Sequence, residues 1–275
     1  MSQTFAQEVE QGERFRFGEN WSRFLSLLDD ERIAGAETSL KTMLELETLE
    51  GKQVLDVGCG SGLFSLAARR LGATVYSFDY DPESVACAQE LRRRYFSNDT
   101  NWEIQSGSVL DRDYLKSLGQ FDLVYSWGVL HHTGQMWQAL ENVSDLVMPG
   151  GKLFIAIYND RGRPSQRWTW IKRTYNQLPK GWKFLVLWPA FARLWGPTTI
   201  RDALKGQPFH TWQTYSQTSR SMSPWRDVVD WVGGYPFEVA RPDEIFDFFR
   251  DRGYRLDRLV TRIGNGCNEF VFSRQ

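Results

Sequence analysis

A glycine-rich turn set between an apolar strand and a helix constrains this chain more than any other feature. The run Asp56-Val57-Gly58-Cys59-Gly60-Ser61-Gly62 follows the strand-like segment QVLDV (53–57) and precedes residues 63–71, which have helical spacing and stop at Gly72. Glycines at such a junction let the backbone adopt conformations that other residues resist, and they let a ligand approach closely. The helix behind the turn presents free N–H groups. A second strand, TVYSF (74–78), leads into Asp79, whose carboxylate can accept from both hydroxyls of a ribose. Strand, glycine turn, helix and an acidic residue at the next strand end together predict a nucleotide-type site on an α/β layer.

The β/α alternation continues along the chain. Asp81-Pro82 starts a helix that runs to about residue 95, with Asp as cap and Pro in the first turn. Strands are predicted at 102–105 and 121–126, an amphipathic helix at 135–147, and a fully apolar strand at 153–158 after a Pro149-Gly150-Gly151 turn. An all-apolar strand belongs in the middle of a parallel sheet covered on both faces. Upstream, residues 1–20 read as an irregular arm in which RFRFGENW (14–21) alternates aromatic and basic residues. Residues 21–48 read as helical, with Phe24, Leu27, Leu28, Leu40, Met43, Leu44 and Leu46 as apolar positions. Downstream, residues 160–234 interrupt the alternation as a helical insertion, and a helix to about residue 252 precedes two strands, 255–261 and 269–273, joined by GNGCN as an antiparallel hairpin. The expected divisions are an arm with helices (1–50), a ligand-binding core (51–160), an aromatic-rich insertion (161–240) and a closing helix and hairpin (241–275).

The glycine spacing narrows the ligand. A dinucleotide site favours GxGxxG, which seats a pyrophosphate on the helix. Here the spacing is GxGxG with Asp56 two residues ahead of the first glycine, and a carboxylate there opposes a pyrophosphate but suits a ligand with an ammonium and a sulfonium. VLDVGCGSG, FDYD, FDLVYSWGVLHH and the PGG turn resemble the class I S-adenosylmethionine (SAM)-dependent methyltransferases, and in flavour the group that includes the ubiquinone-pathway O-methyltransferases. The resemblance covers about residues 50–160 and implies an α/β, Rossmann-like fold: a mostly parallel seven-stranded sheet with an antiparallel last strand, an N-terminal helical arm and a helical insertion. It implies that Asp56, Gly58, Cys59, Gly60 and Gly62 line the methionine part of SAM, that Asp79 holds the ribose, and that Tyr80 packs beside the adenosine. Ser108 and Val109 would frame the adenine. Many members carry Asp where this chain has Ser108, which shifts adenine recognition to backbone groups or Asp111. Trp127 ends the fourth strand where the sulfonium is expected, and an aromatic face favours a cation, although packing alone would also account for it.

Methyl transfer to a hydroxyl asks for a base. His131 and His132 follow the fourth strand, at the end of the sheet where ligands bind, and are the base candidates; shaping of the loop is the competing reading. Tyr158, Asn159 and Asp160 end the fifth strand as substrate contacts or loop anchors, and Asn265, Asn268 and Glu269 raise the same choice in the last turn. Trp225, Trp231 and the segment GGYPFEVARP (233–242) are further candidates for passing near the site. No metal is expected, since adjacent histidines here lack a carboxylate partner. Residues 184–195 (FLVLWPAFARLW), broken by Pro189 and flanked by Lys180, Lys183 and Arg193, read first as a lid or core and second as a membrane-facing surface through 182–195 that suits a lipid-like acceptor; a dimer contact is a third reading.

The remaining composition excludes classes rather than selecting one. With 33 Lys+Arg against 34 Asp+Glu there is no broad basic field, so no duplex nucleic acid is expected as substrate. Three cysteines without paired spacing, a polar N-terminal stretch and no long apolar run point to a cytoplasmic protein, peripheral to a membrane at most. SWGV after the fourth strand does not match the (N/D)PP(Y/F) segment of amino-group methylation in nucleic acids. The expected activity is SAM-dependent methyl transfer, on oxygen, to a small or lipid-like acceptor. The alternatives are an NAD(P)-dependent oxidoreductase and a non-catalytic SAM-binding module.

Overall fold

The computed structural model describes residues 4–18, 21, 25, 26, 28–218, 224–262, 264 and 266–275. The expected helical positions Phe24 and Leu27 and the turn residue Asn265 lie outside the described residues. The chain divides into two compact units, a helical one (Met1–Phe15 and Arg163–Pro236) and one built on a sheet (Arg16–Gly162 and Phe237–Gln275).

In chain order the helices begin with α1 (Phe5–Glu10), α2 (Asp30–Leu44), α3 (Leu63–Arg70), α4 (Pro82–Tyr95), α5 (Arg112–Leu118) and α6 (Met136–Asp145). They continue with α7 (Arg163–Gln177), α8 (Phe184–Leu204), α9 (His210–Thr218), α10 (Pro224–Gly233) and α11 (Pro242–Arg250). The strands are β1 (Gln53–Val57), β2 (Thr74–Asp79), β3 (Trp102–Ser106), β4 (Phe121–Trp127), β5 (Val147–Tyr158), β6 (Tyr254–Val260) and β7 (Cys267–Arg274).

The seven strands form one sheet in the order β3-β2-β1-β4-β5-β7-β6. The pairings from β3 through β5 are parallel, whereas β7 runs antiparallel to both β5 and β6. This is the expected mostly parallel α/β sheet with its reversed final strand. Side-chain alternation splits the strands between two apolar layers. Val54, Val75, Trp102, Phe154 and Val271 pack with Ile33, Leu40, Leu66 and Leu91 from α2, α3 and α4. Leu55, Phe78, Val124, Leu153 and Ile155 face the other way, toward Leu115, Leu140, Val143 and Phe249 from α5, α6 and α11. Cover on both faces explains why residues 153–158 of β5 read apolar throughout.

Three local expectations change. Residues in the predicted irregular arm form α1, because the Gln7 side chain accepts from the Thr4 N–H at 3.0 Å and so satisfies an orphan donor at the helix start. The single helix expected over 21–48 is interrupted: Trp21, Leu25 and Ser26 are helical, residues 28 and 29 are not, and α2 follows. Asp29 caps α2 by accepting from the Arg32 N–H, and Glu45 ends it in the left-handed region at φ 57°, which leaves Leu46 outside. Pro149-Gly150-Gly151 is not a turn ahead of a strand but an irregularity within β5, where the register against β4 jumps from Phe121↔Val147 to Leu123↔Lys152.

The helical unit has an aromatic core of its own. Tyr175, Leu187, Ala190, Trp195, Val228 and Val232 are buried, with Trp168, Phe191, Trp212 and Trp231 packed around them. Rings meet edge to face, as for Trp195 and Tyr215 at 4.7 Å and Phe191 and Trp212 at 5.0 Å. Helix α8 runs unbroken through Pro189 and Pro197, contrary to the expected break at Pro189. Each proline forfeits a main-chain hydrogen bond, and the burial of Leu187, Ala190 and Trp195 between and around them opposes that loss. Lys172 is also buried here: its Nζ lies 4.1 Å from the centre of the Trp231 ring and donates to the Trp231 carbonyl, and burial pushes its pKa well down.

Candidate cofactor and active site

The strand order reverses between β1 and β4, and open α/β sheets bind ligands at the C-terminal strand ends beside such a switch point. The glycine turn after β1 sits there, as do the ends of β2, β4 and β5. Gly58 and Cys59 N–H groups both donate to the Phe78 carbonyl, at 2.8 and 3.1 Å, which pins the turn to the neighbouring strand. Gly58, Gly60 and Gly62 all have positive φ, at 75°, 53° and 80°. At Gly58 a Cβ would lie 2.3 Å from Cγ1 of Val129, so the post-β4 loop closes directly over a bare backbone.

Asp79 joins the turn to the second strand end. One carboxylate oxygen accepts from Gly60 N–H at 2.9 Å and the other from Asp81 N–H at 2.9 Å. Asp56 lies beneath the turn, buried, and accepts from the Ser65 hydroxyl at 2.5 Å; Ser65 in turn meets Ser77, whose oxygen also accepts from Trp102 Nε1 at 3.0 Å. Burial raises the Asp56 carboxyl to about 7, with the nearby Asp79 charge adding to the rise. Burial likewise raises Asp79 to about 6. No lysine or arginine offsets either carboxylate among the described residues. Two carboxylates held near neutrality at a glycine turn form a donor set that gains from a cationic ligand and repels a pyrophosphate. Cys59 is a buried thiol, pushed well up by burial and by Asp79 and Asp56, and is therefore not a nucleophile.

The other expected ligand residues fall around this centre with differing freedom. Tyr80 follows β2 directly and is partly exposed. Ser108 accepts from Leu110 N–H at 3.2 Å and stabilises the turn after β3, while Val109 is buried and its carbonyl accepts from Asn142 at 2.8 Å. Asp111 caps α5 by accepting from the N–H groups of Asp113 and Tyr114, which engages the carboxylate proposed for adenine. Trp127 is partly buried and packs against the core layer of α2, α3 and α4.

The adjacent histidines have different surroundings. His131 is fully buried, and its Nδ1 accepts from Tyr158 N–H at 3.4 Å. Its ring lies 4.1 Å from the Tyr158 ring, so in this structure it is a packing residue with no access for a substrate proton. His132 is partly exposed, with its ring 5.1 Å from Phe17 and 5.6 Å from Tyr158. Asn159 accepts from Asn268 at 3.2 Å, and Asn268, buried, accepts from Arg262 N–H at 3.0 Å; Asp160 accepts from Gly162 N–H. These polar groups, with Glu269 facing Arg262 at 3.6 Å, brace loop and hairpin. Trp225 and Trp231 belong to the helical unit, where they take part in its aromatic packing.

Four further residues were given no individual role from sequence, although Glu238 and Ala240 lie in the segment 233–242 named above. Glu238 donates its N–H to the His131 carbonyl at 2.9 Å, and its carboxylate accepts from Met136 N–H at 3.0 Å, so it clamps the whole loop from His131 to the start of α6. Its neighbour Ala240 runs beside the end of β5, donating to the Tyr158 carbonyl at 3.0 Å. Trp21 lies against the glycine turn, with its ring 3.1 Å from where a Gly60 Cβ would sit. Gly18 N–H donates to the buried Asp81 carboxylate at 2.8 Å, which anchors the arm at the start of α4. The only local signal was the aromatic and glycine pattern of 14–21 and the turn chemistry of 233–242.

Comparison with known proteins agrees with this geometry. Residues 55–153 match the methyltransferase domain family. A ubiquinone biosynthesis O-methyltransferase of Coxiella burnetii is 33% identical over 144 residues, covering 52% of this chain and 59% of that protein. One from Xanthomonas oryzae pv. oryzae is 37% identical over 111 residues, covering 40% and 45%. The chain thus spans about half the length of the curated relatives it matches. Among solved structures, PKMT2 from Rickettsia typhi aligns at TM-score 0.57 with 15% identity, over 87% of this chain and 52% of that one. An O-methyltransferase family protein from Burkholderia thailandensis aligns at TM-score 0.52 with 14% identity, over 89% and 57%. The sheet order and the glycine turn at its switch point fit the match of residues 55–153 to the methyltransferase domain family, and the fold is the Rossmann-like one of these solved structures.

Proposed function

We infer that the protein binds SAM at this turn and transfers its methyl group to an oxygen of a small or lipid-like acceptor. The observation that carries the reading is the pair of buried Asp56 and part-buried Asp79 beside the glycine turn, with no basic side chain to offset them among the described residues. SAM supplies a methyl group already activated by its sulfonium. Asp79 accepts from the ribose hydroxyls, Asp56, Gly58, Cys59, Gly60 and Gly62 line the methionine part, and Tyr80, Ser108 and Val109 surround the adenosine. Trp127 offers its face to the cation. Positioning and exclusion of water then do most of the remaining work. His132 takes the hydroxyl proton, and His131, clamped by Glu238 and Tyr158, sets the loop that presents it. Residues 51–160 bind the cofactor, 241–275 complete the sheet, and 161–240 select the acceptor; a membrane contact through 182–195 suits a lipid-like one.

Calorimetric titration with SAM and, separately, NADH tests the reading. Micromolar SAM binding with no NADH binding is expected, and preference for NADH would overturn it. The raised carboxyls add a signature. Because both folded-state values lie above the ordinary 3.8, the ligand-free protein loses stability as ionisation proceeds from pH 3.8 toward 7. A bound cation favours the ionised pair, so SAM affinity is expected to fall as pH drops from about 7 through 6, with proton release on binding near the midpoint. Titrations in buffers of different ionisation enthalpy would show this, and a pH-independent affinity would remove the carboxylates from the site. For the base, His132→Ala is expected to lower kcat by about 10²-fold or more with the SAM Kd unchanged, measured on a phenol or quinol acceptor. His131→Ala is expected instead to lower the melting temperature, and an unaffected kcat in His132→Ala would rule out its role as base.

A further inference from the structure

Charge is distributed very unevenly between the two units. The helical unit, residues 1–15 and 163–236, holds 12 Lys+Arg and 6 Asp+Glu, a formal charge of +6, while the sheet unit carries −7. The same basic unit holds a long apolar helix whose two sides meet different surroundings. Leu187, Ala190 and Trp195 of α8 are buried in the unit's core. Across the helix, Leu185 is 50% exposed, Trp188 60%, Ile200 62% and Leu204 84%. Together with exposed Ala192, these positions recur at helical spacing, so they form one apolar stripe along a 21-residue helix. Trp182 and Phe184, at 61% and 53% exposure, extend it at the N-terminal end. A continuous apolar helix face is normally buried; this outward stripe is exposed.

We propose that the helical unit docks on an anionic lipid bilayer through the outward stripe of α8. Lys180, Arg193 and Arg201 are exposed beside the stripe, where basic side chains meet anionic headgroups while Trp and Leu enter the acyl boundary. No described helix is long and apolar enough to cross a membrane, so the helix lies in the interface plane. Nucleic acid shares the charge but offers nothing to Leu185, Ile200 and Leu204. A second copy would bring two units of formal charge +6 together. The docking stands independently of methyl transfer, which SAM titration tests separately.

The test is co-sedimentation of the full chain with phosphatidylcholine vesicles and with phosphatidylcholine–phosphatidylglycerol vesicles, at low and high salt. Binding is expected only to the phosphatidylglycerol vesicles and to weaken with salt. The variant L185E/I200E/L204E is expected to bind about tenfold or more weakly, with SAM affinity and melting temperature unchanged. The variant R193E/R201E is expected to weaken binding as well, through charge alone. Four results would each overturn the docking: no pelleting with either vesicle, equal pelleting with both, tighter binding of RNA that the glutamate variant leaves intact, or a concentration-dependent dimer abolished by that variant in the absence of pelleting.

Discussion

Asp79→Ala is expected to weaken SAM binding by about 100-fold, the largest effect of any single side chain at the site. A charge-assisted hydrogen bond contributes about 1.5–3 kcal/mol, and Asp79 is positioned to make two of them to a ribose. The same carboxylate also holds the turn in shape, through Gly60 N–H and Asp81 N–H at 2.9 Å each. Its removal therefore costs the ligand its partner and leaves two main-chain donors to find others. Asp79→Asn retains one acceptor oxygen and is expected to fall between the two. Calorimetry on the three proteins is the measurement. Affinity in Asp79→Ala equal to that of the parent would show that the ribose lies elsewhere.

Gly58→Ala is expected to cost about 3 kcal/mol of folding stability, read as a lower urea midpoint. Two terms contribute. An L-residue at φ 75° costs about 1–2 kcal/mol. The new Cβ would also stand 2.3 Å from Cγ1 of Val129, and overpacking costs about 1–3 kcal/mol. Val129 is β-branched and turns poorly out of the way. The double variant Gly58→Ala/Val129→Ala separates the terms, since it removes the clash and keeps the strained backbone. Partial recovery is expected. Full recovery would mean the positive φ carries no cost here, and an unchanged midpoint in Gly58→Ala alone would mean the loop after β4 is free to retreat.

The legible part of this protein consists of signals that act within about ten residues. Strand periodicity, the glycine turn, Asp81-Pro82 and the apolar β5 each state their own local structure, and the β/α alternation orders them into a parallel sheet. Those same signals place Asp56, Asp79, Trp127 and Tyr158 at one sheet edge, because successive strands of such a sheet all end on the same side. Residues whose roles depend on a distant partner were not legible. His131 and His132 are neighbours in sequence, yet one is fully buried and the other partly exposed, and the difference comes from Tyr158 and from Glu238, which lies more than a hundred positions away. Trp21 likewise meets the glycine turn through a contact about forty positions away in sequence, which no local pattern announces.

The insertion shows the same division. Its aromatic richness and its excess of Lys and Arg are plain in the chain, as are the helix-forming stretches, since composition and propensity need no partner. Which aromatics enter the core and which face outward was settled only by packing. Leu187 and Leu185 are both leucines two positions apart on one helix; Leu187 is buried against a neighbouring helix and Leu185 is half-exposed. Local sequence sets what an element is. Burial is a property of what other elements cover, and that is decided only when the chain closes on itself.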